Sequence, residues 1–288
     1  MSTPSEPAES ESTYVIDAEN AAEMARLMNQ ALFLTKRMGG LFPERSDLAN
    51  IHDVLDIACG PGGWVLDVAR SYPSVQVIGI DISQIMVAYA RALAATDQLT
   101  NARFRLMNAL TSLDFPDHSF DLVNARLVAP FMPSAAWPAL MQECQRILRP
   151  GGVIRLTEAE AAITNSPAFE KIIELGTGAL KLAGQSFSPD GRHIGITPIL
   201  GRFLRDAGYT HIQRVAYAID SSAGTEANKE FCQDYMVAFK LVQPFLIKMG
   251  VMTQGEIDRL YQQIMTEMQL HDFCSILFLL TVWGEKPR

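Results

Sequence analysis

The feature that most constrains this chain is an alternation of short apolar runs with helical patterns, opened by a glycine-rich turn. Val54-Leu-Asp-Ile-Ala58 reads as a short buried strand, Gly60-Pro-Gly-Gly63 as the turn after it, and Trp64 to Arg70 as a helix. Gln76 to Ile80 is a second strand. Ser83 caps a helix running to about Ala95, with Ile85, Met86, Tyr89 and Leu93 on one side. Ala102 to Asn108 alternates Phe104 and Leu106 against Arg103 and Arg105, as a third strand would. Phe120 to Leu127 is a fourth. Trp137 to Leu148 is helical and closes at Pro150-Gly151-Gly152, and Val153 to Glu158 is a fifth strand. This spacing predicts an α/β fold, a doubly wound and mostly parallel sheet with right-handed crossovers. His211 to Tyr217 and Ser275 to Trp283 complete a sheet of seven strands.

The flanking segments add helices. Ala21, Met24, Leu27, Met28, Ala31, Leu32 and Leu34 recur at three- and four-residue intervals, and Gly39-Gly40 ends that helix. Thr197 to Ala207 is a helix stopped by Gly208. The stretches from Glu160 to Thr197 and from Thr225 to Leu270 are too long for plain loops and are expected as helical insertions on the sheet. The expected organisation is a mobile tail at 1–13, N-terminal lid helices at 14–45 and a core at 50–220. A helical insertion at 221–272 and a closing strand at 273–288 complete it.

Composition narrows the partners. The 288 residues are 48% hydrophobic and 19% charged, enough to bury a core without disulfides or metals. A formal charge of -8 argues against nucleic acid as the partner. Cys59, Cys144, Cys232 and Cys274 form no C-x-x-C pair, so zinc ribbons and thioredoxin-like sites lose their signature. The start lacks the basic and apolar regions of a signal peptide, and the apolar run from Cys274 to Trp283 is too short to span a bilayer. A cytoplasmic, thiol-reduced protein is expected, with no nucleic acid, no membrane and no metal, and with a homodimer possible through an exposed insertion.

In an open parallel sheet, ligands bind beyond the carboxyl ends of the strands. Asp56 and Ala58 to Gly63 stand at the first such end, Asp81 at the second and Asn108 with Ala109 at the third. Asn124, Ala125 and Arg126 follow at the fourth, and Glu158 and Glu160 at the fifth. Gly60 and Gly62 let backbone approach a ligand, and the helix after them points its N–H groups at it. A carboxylate at Asp81 can accept both hydroxyls of a ribose, so the ligand contains a nucleoside. Val65 stands where a dinucleotide fingerprint needs glycine or alanine. Asp56 is poor company for a pyrophosphate and suits an ammonium or sulfonium cation. This turns the choice from NAD towards S-adenosylmethionine.

Val54 to Trp64, Gly79-Ile-Asp-Ile-Ser83, Phe115-Pro-Asp-His-Ser-Phe-Asp121 and Ile147-Leu-Arg-Pro-Gly-Gly152 stand in order. Together they resemble the successive motifs of the class I S-adenosylmethionine-dependent methyltransferases of small-molecule type. The resemblance covers about residues 50 to 215 and implies a Rossmann-like core. It implies that Asp56 contacts the cofactor's amino group, that Gly60 and Gly62 lie under its methionine moiety and that Asp81 holds the ribose. Ile82 then lies beside the adenine, with Met86 on the helix behind it. Asn108 accepts from the adenine amine in place of the family's aspartate, flanked by Ala109 and Leu110. Asn124, Ala125 and Arg126 stand between cofactor and acceptor. Ala58 replaces the first glycine of the family's turn and is expected to keep φ negative. Tyr14 precedes the first helix, which resembles the family's N-terminal lid, and is expected to touch the cofactor.

The resemblance implies methyl transfer by in-line displacement to a mid-sized, lipophilic metabolite of secondary metabolism, with the acceptor atom O, N or C left open. Glu158 and Glu160 are the candidate bases, and His193, in an insertion, stands within reach of the mouth. Two alternatives stay open. One is an S-adenosylmethionine-binding cyclase, isomerase or ligand sensor on the same fold. The other is a nicotinamide dehydrogenase.

Overall fold

The computed structural model of the protein describes residues 14–45 and 48–288, and the tail expected at 1–13 lies outside them. Among the described residues the chain forms one sheet. Its strands are β1 (Asp53–Ile57), β2 (Gln76–Asp81), β3 (Ala102–Leu106), β4 (Phe120–Arg126) and β5 (Leu148–Ala159), then β6 (Ile163–Thr164), β7 (Thr210–Asp220) and β8 (Ser275–Glu285). The first five pair in parallel in the order β3-β2-β1-β4-β5. β8 is antiparallel to β5, β7 is antiparallel to β8, and the two-residue β6 touches only the start of β8. The sheet is therefore the expected seven strands plus a stub. In β1, Val54, Leu55 and Ile57 are all buried, as a strand covered on both faces requires.

The helices are α1 (Ala21–Met38), α2 (Gly63–Ser71), α3 (Gln84–Thr96), α4 (Trp137–Ile147) and α5 (Pro167–Leu182), followed by α6 (Leu200–Asp206), α7 (Asn228–Leu241), α8 (Gln243–Lys248) and α9 (Gln254–Glu267). Their ends follow local chemistry. Asn20 and Ser83 accept the N–H groups of Ala22 and Met86, and Gly39 closes α1 at φ 93°. Ser166 caps α5 just ahead of Pro167, and Thr253 with Glu256 forms a capping box on α9. No helix is long and apolar enough to cross a membrane among the described residues.

Three buried clusters hold these layers together. Trp64, Val68, Val87 and Phe104 pack α2 and α3 on one part of the sheet. Trp137, Leu140, Phe203 and Leu204 pack α4 and α6 on another. The third joins Phe33 of α1, Phe169 of α5, Phe231 of α7 and Leu246 of α8 to Ile219, Leu277 and Leu279 of β7 and β8. Residue Leu279 pairs with Ala159 at the end of β5, so this helical cap sits over the carboxyl ends of the parallel strands.

One strand starts earlier than its sequence suggests. The Arg149-Pro-Gly-Gly152 stretch, expected as a helix stop, belongs to β5. The Gly151 N–H donates to Lys286 O, and the Lys286 N–H to Gly152 O. Lys286, directly after β8, supplies the partner that turns this glycine-rich corner into sheet.

Candidate functional site

The ends of β1, β2, β4 and β5 open onto one cavity of about 400 Å³, roofed by α1, α5, α7 and α8. At the end of β1 the chain turns through Ala58 (φ 55°), Gly60 (φ 54°) and Gly62 (φ 85°). The expectation that Ala58 keeps φ negative is therefore corrected. The left-handed step carries the Cys59 N–H to Ile80 O at 2.9 Å and the Gly60 N–H to Asp81 Oδ2 at 2.8 Å. Gly60 presents bare backbone to the cavity. Gly62 does not line it. A Cβ there would lie 2.6 Å from the Phe104 ring, so this glycine lets the turn settle on β3.

Asp81 ends β2 facing the cavity, its Oδ1 accepting the Ser83 N–H at 2.9 Å. Burial pushes its carboxyl above the ordinary range, and the N–H groups of Ser83, Gly60 and Ile82 pull the other way. Ile82 and Met86 line the wall beside it. The segment before α1 straps over this end. Ser83 Oγ donates to Ala18 O at 3.1 Å, and the Glu19 carboxylate accepts the N–H groups of Gln84 and Ile85 at 3.0 and 3.2 Å. Tyr14 lines the cavity, donates to Glu23 at 2.5 Å and sits edge-on to Phe131. Asn108, Ala109 and Leu110 also face the cavity. The Asn108 Oδ1 accepts the Leu110 N–H at 2.8 Å.

Behind the β1 end runs a buried polar relay. Asp56 accepts from Asn124 at 2.7 Å, Asn124 accepts from Arg155 at 2.9 Å, and Arg155 pairs with Glu44 at 2.6 Å. Asn124 is 0% exposed. It and Ala125 lie behind the cavity wall, and Asn124 holds the carboxylate of Asp56, which lines the cavity. Burial pushes Asp56 up to about 6, and the Arg126 charge opposes that shift. Arg126 lines the cavity with its guanidinium over the Trp64 ring at 5.8 Å and 3.4 Å from Thr35 Oγ1. Burial lowers its pKa to about 10.

The two strand-end glutamates differ in what their oxygens do. Glu158 is buried at the cavity floor and accepts the N–H groups of Val128 and Ala129 at 2.7 and 3.3 Å. Burial pushes it up to about 8, with the Glu160 charge adding to the rise. Glu160 also lines the cavity, but it fastens a loop: it accepts from Gly195 N at 3.0 Å, Thr197 N at 3.1 Å and Thr197 Oγ1 at 3.0 Å. His193 is exposed on that loop and does not line the cavity. Glu160 holds the loop at residues 195 and 197, and His193 faces outward beyond them.

The roof holds residues that sequence reading missed. Arg26 pairs with Glu23 at 2.7 Å and with Asp234 of α7 at 2.9 Å, and Gln30 donates to Asp234 at 3.1 Å. Arg26, Gln30 and Asp234 line the cavity. The only local sign was the three-residue spacing of Glu23 and Arg26; nothing in the sequence ties either to Asp234. The remaining wall is largely apolar, with Leu127, Phe131, Ile172, Tyr235, Phe239 and Leu246 among it.

Residues 54–152 match the family model described as a methyltransferase domain. An uncharacterized methyltransferase of Schizosaccharomyces pombe is 31% identical over 182 residues, 60% of this chain and 60% of that protein. A demethylmenaquinone methyltransferase of Lactococcus lactis is 33% identical over 141 residues, 49% of this chain and 51% of that protein. The chain thus spans between half and two thirds of these relatives. Among solved structures, the cyclase SpnF shares the fold at a TM-score of 0.53 and 21% identity, over 96% of this chain and 99% of that one.

Proposed function

We propose that this chain, a member of the class I S-adenosylmethionine-dependent methyltransferases through residues 54–152, transfers a methyl group from S-adenosylmethionine to a small lipophilic acceptor by in-line displacement. The observation that carries the reading is one cavity with two characters. Its sheet side bears Asp56, Asp81 and the bare backbone of Gly60, and its helical side is apolar apart from the paired Arg26, Gln30 and Asp234 and the hydroxyl of Thr177. The residues fit the cofactor. Gly60 leaves its backbone uncovered where a ligand passes, Asp81 offers a carboxylate to hydroxyls, and Asp56 offers one to an ammonium.

S-adenosylmethionine supplies a methyl group already activated on a sulfonium. The chain's task is to align, to exclude water and to manage a proton. Asp81 takes the ribose hydroxyls, and Asn108 with Ala109 and Leu110 takes the adenine. Ile82 and Met86 cover the adenine side, and Tyr14 closes the strap over it. Asp56, aimed by Asn124, takes the amino group. Arg126 stands at the junction with the acceptor. Glu158 is the base: its carboxylate takes the proton that an O–H, N–H or C–H acceptor sheds. Glu160 positions the loop beside it. The relative named for demethylmenaquinone supports an acceptor of lipophilic kind.

Titration calorimetry tests the cofactor. S-adenosylhomocysteine is expected to bind with a Kd below about 1 mM, within the ordinary range of enzyme affinities. Incubation with S-adenosylmethionine and a panel of lipophilic phenols, quinols and amines, read by mass spectrometry, tests the transfer. The product is expected to gain one methylene in mass. Absence of S-adenosylhomocysteine binding would overturn the reading, and conversion without the mass gain would replace methyl transfer by an isomerisation.

A further inference from the structure

Helix α5 carries two glycines, Gly176 and Gly178, in its interior. Glycine is the poorest helix former after proline, because it loses the most backbone freedom. Neither glycine takes the left-handed backbone that excludes other residues, and a Cβ built on either would meet nothing within 4 Å. No turn and no close approach requires glycine at these positions. Their surroundings differ: Gly176 lines the cavity, whereas Gly178 does not and lies beside Gly191.

The cavity face of α5 consists of Ile172, Ile173, Gly176, Thr177 and Leu180. These positions follow the helical period, and Gly176 stands one turn from Ile172 and one turn from Leu180. It is the centre of a stripe on which an apolar side chain is the ordinary choice. A helix-weakening residue stands there, and the space a side chain would fill is open.

We propose that Gly176 is a specificity-determining residue. Its bare backbone leaves a recess in the apolar half of the cavity, and an uncharged ring or branched hydrocarbon portion of the acceptor fills it. The proposal rests on reading that half as the acceptor's chamber. It adds that α5 reads the acceptor's bulk at one position, and that a side chain there excludes acceptors with a wide apolar body.

The test compares the wild type with Gly176→Ala, Gly176→Leu and Gly178→Ala in the full chain. The probe is N-phenyl-1-naphthylamine, a neutral aromatic fluorophore, and S-adenosylhomocysteine binding is measured alongside. Both alanine variants should melt at a higher temperature than the wild type, because each restores a helix former. Gly176→Leu should weaken probe binding by about tenfold or more, the scale of a few methylene groups in an apolar pocket. Gly176→Ala should weaken it less, and Gly178→Ala should leave it unchanged. S-adenosylhomocysteine should bind all four chains alike. Equal probe affinity for the two alanine variants overturns the proposal, and so does a wild type that does not bind the probe. If Gly176→Leu does not fold, the alanine pair decides. Loss of S-adenosylhomocysteine binding by the wild type would remove the proposed function and leave the probe comparison standing.

Discussion

Ala58 stands in the left-handed region where β1 turns under the cavity, at a cost of about 1 kcal/mol for its Cβ. Ala58→Gly is expected to raise urea stability by about that amount, less the extra entropy of an unfolded glycine; a clear loss of stability would show that the methyl group packs favourably there. Glu158 gives a second prediction. Glu158→Gln should lower turnover by about 100-fold or more, and the wild type's rate should rise with pH up to about 8, a limb the variant lacks. The folded chain keeps a proton on Glu158 that the unfolded chain sheds above about 4.5. Its contribution to stability is therefore full below 4.5 and is lost as pH rises to about 8. Glu158→Gln should flatten that decline in a series of melting curves. At this scale the sequence displayed Asp56, Gly60, Asp81 and Arg126, because strand ends and a glycine turn mark them. It did not separate Glu158 from Glu160. Both are strand-end acids that accept backbone N–H groups, from Val128 and Ala129 in one case and Gly195 and Thr197 in the other, and no local pattern marks those partners.

Among the elements, α1 joins the two halves of the cavity. Its Ala31 and Met28 lie against the start of α2, where a Cβ on Gly63 would sit 3.0 Å from Ala31 Cβ. Its Arg26 reaches Asp234 of α7. Asp234→Ala should cost about 3 kcal/mol, because it leaves a buried guanidinium short of one partner; chemical denaturation measures it, and a loss under about 0.5 kcal/mol, the scale of an exposed pair, would show the pair to be dispensable. Glu160→Ala should speed amide exchange at Gly195 and Thr197 without altering β5, and unchanged exchange there would remove the loop-fastening role. The strands and the helices between them were legible because two-residue and helical periods differ visibly over short windows. The start of β5 was not, because Pro150 and Gly151 read as a stop until Lys286 supplies its backbone partner. The pairing of α1 with α7 was equally hidden, since it joins residues more than 200 positions apart.

For the whole molecule, the sheet provides the floor of the cavity and the helical cap a largely apolar roof that also carries Arg26, Gln30 and Asp234, and residues of all three buried clusters line the space between. A ligand that fills the floor ties the strap before α1, the β1 turn and the β2 end together. Saturating S-adenosylhomocysteine at a hundred times its Kd should therefore add about 2.7 kcal/mol to unfolding, seen as a rise in melting temperature, and no rise would mean that the folded chain does not bind it. The most direct measurement is a crystal structure of the chain with S-adenosylhomocysteine. The ribose hydroxyls should lie on the Asp81 carboxylate, the amino group on Asp56, and the sulfur should face the apolar chamber floored by Glu158. A ligand seated elsewhere, or an Asp81 side chain turned away from the sugar, would contradict the account.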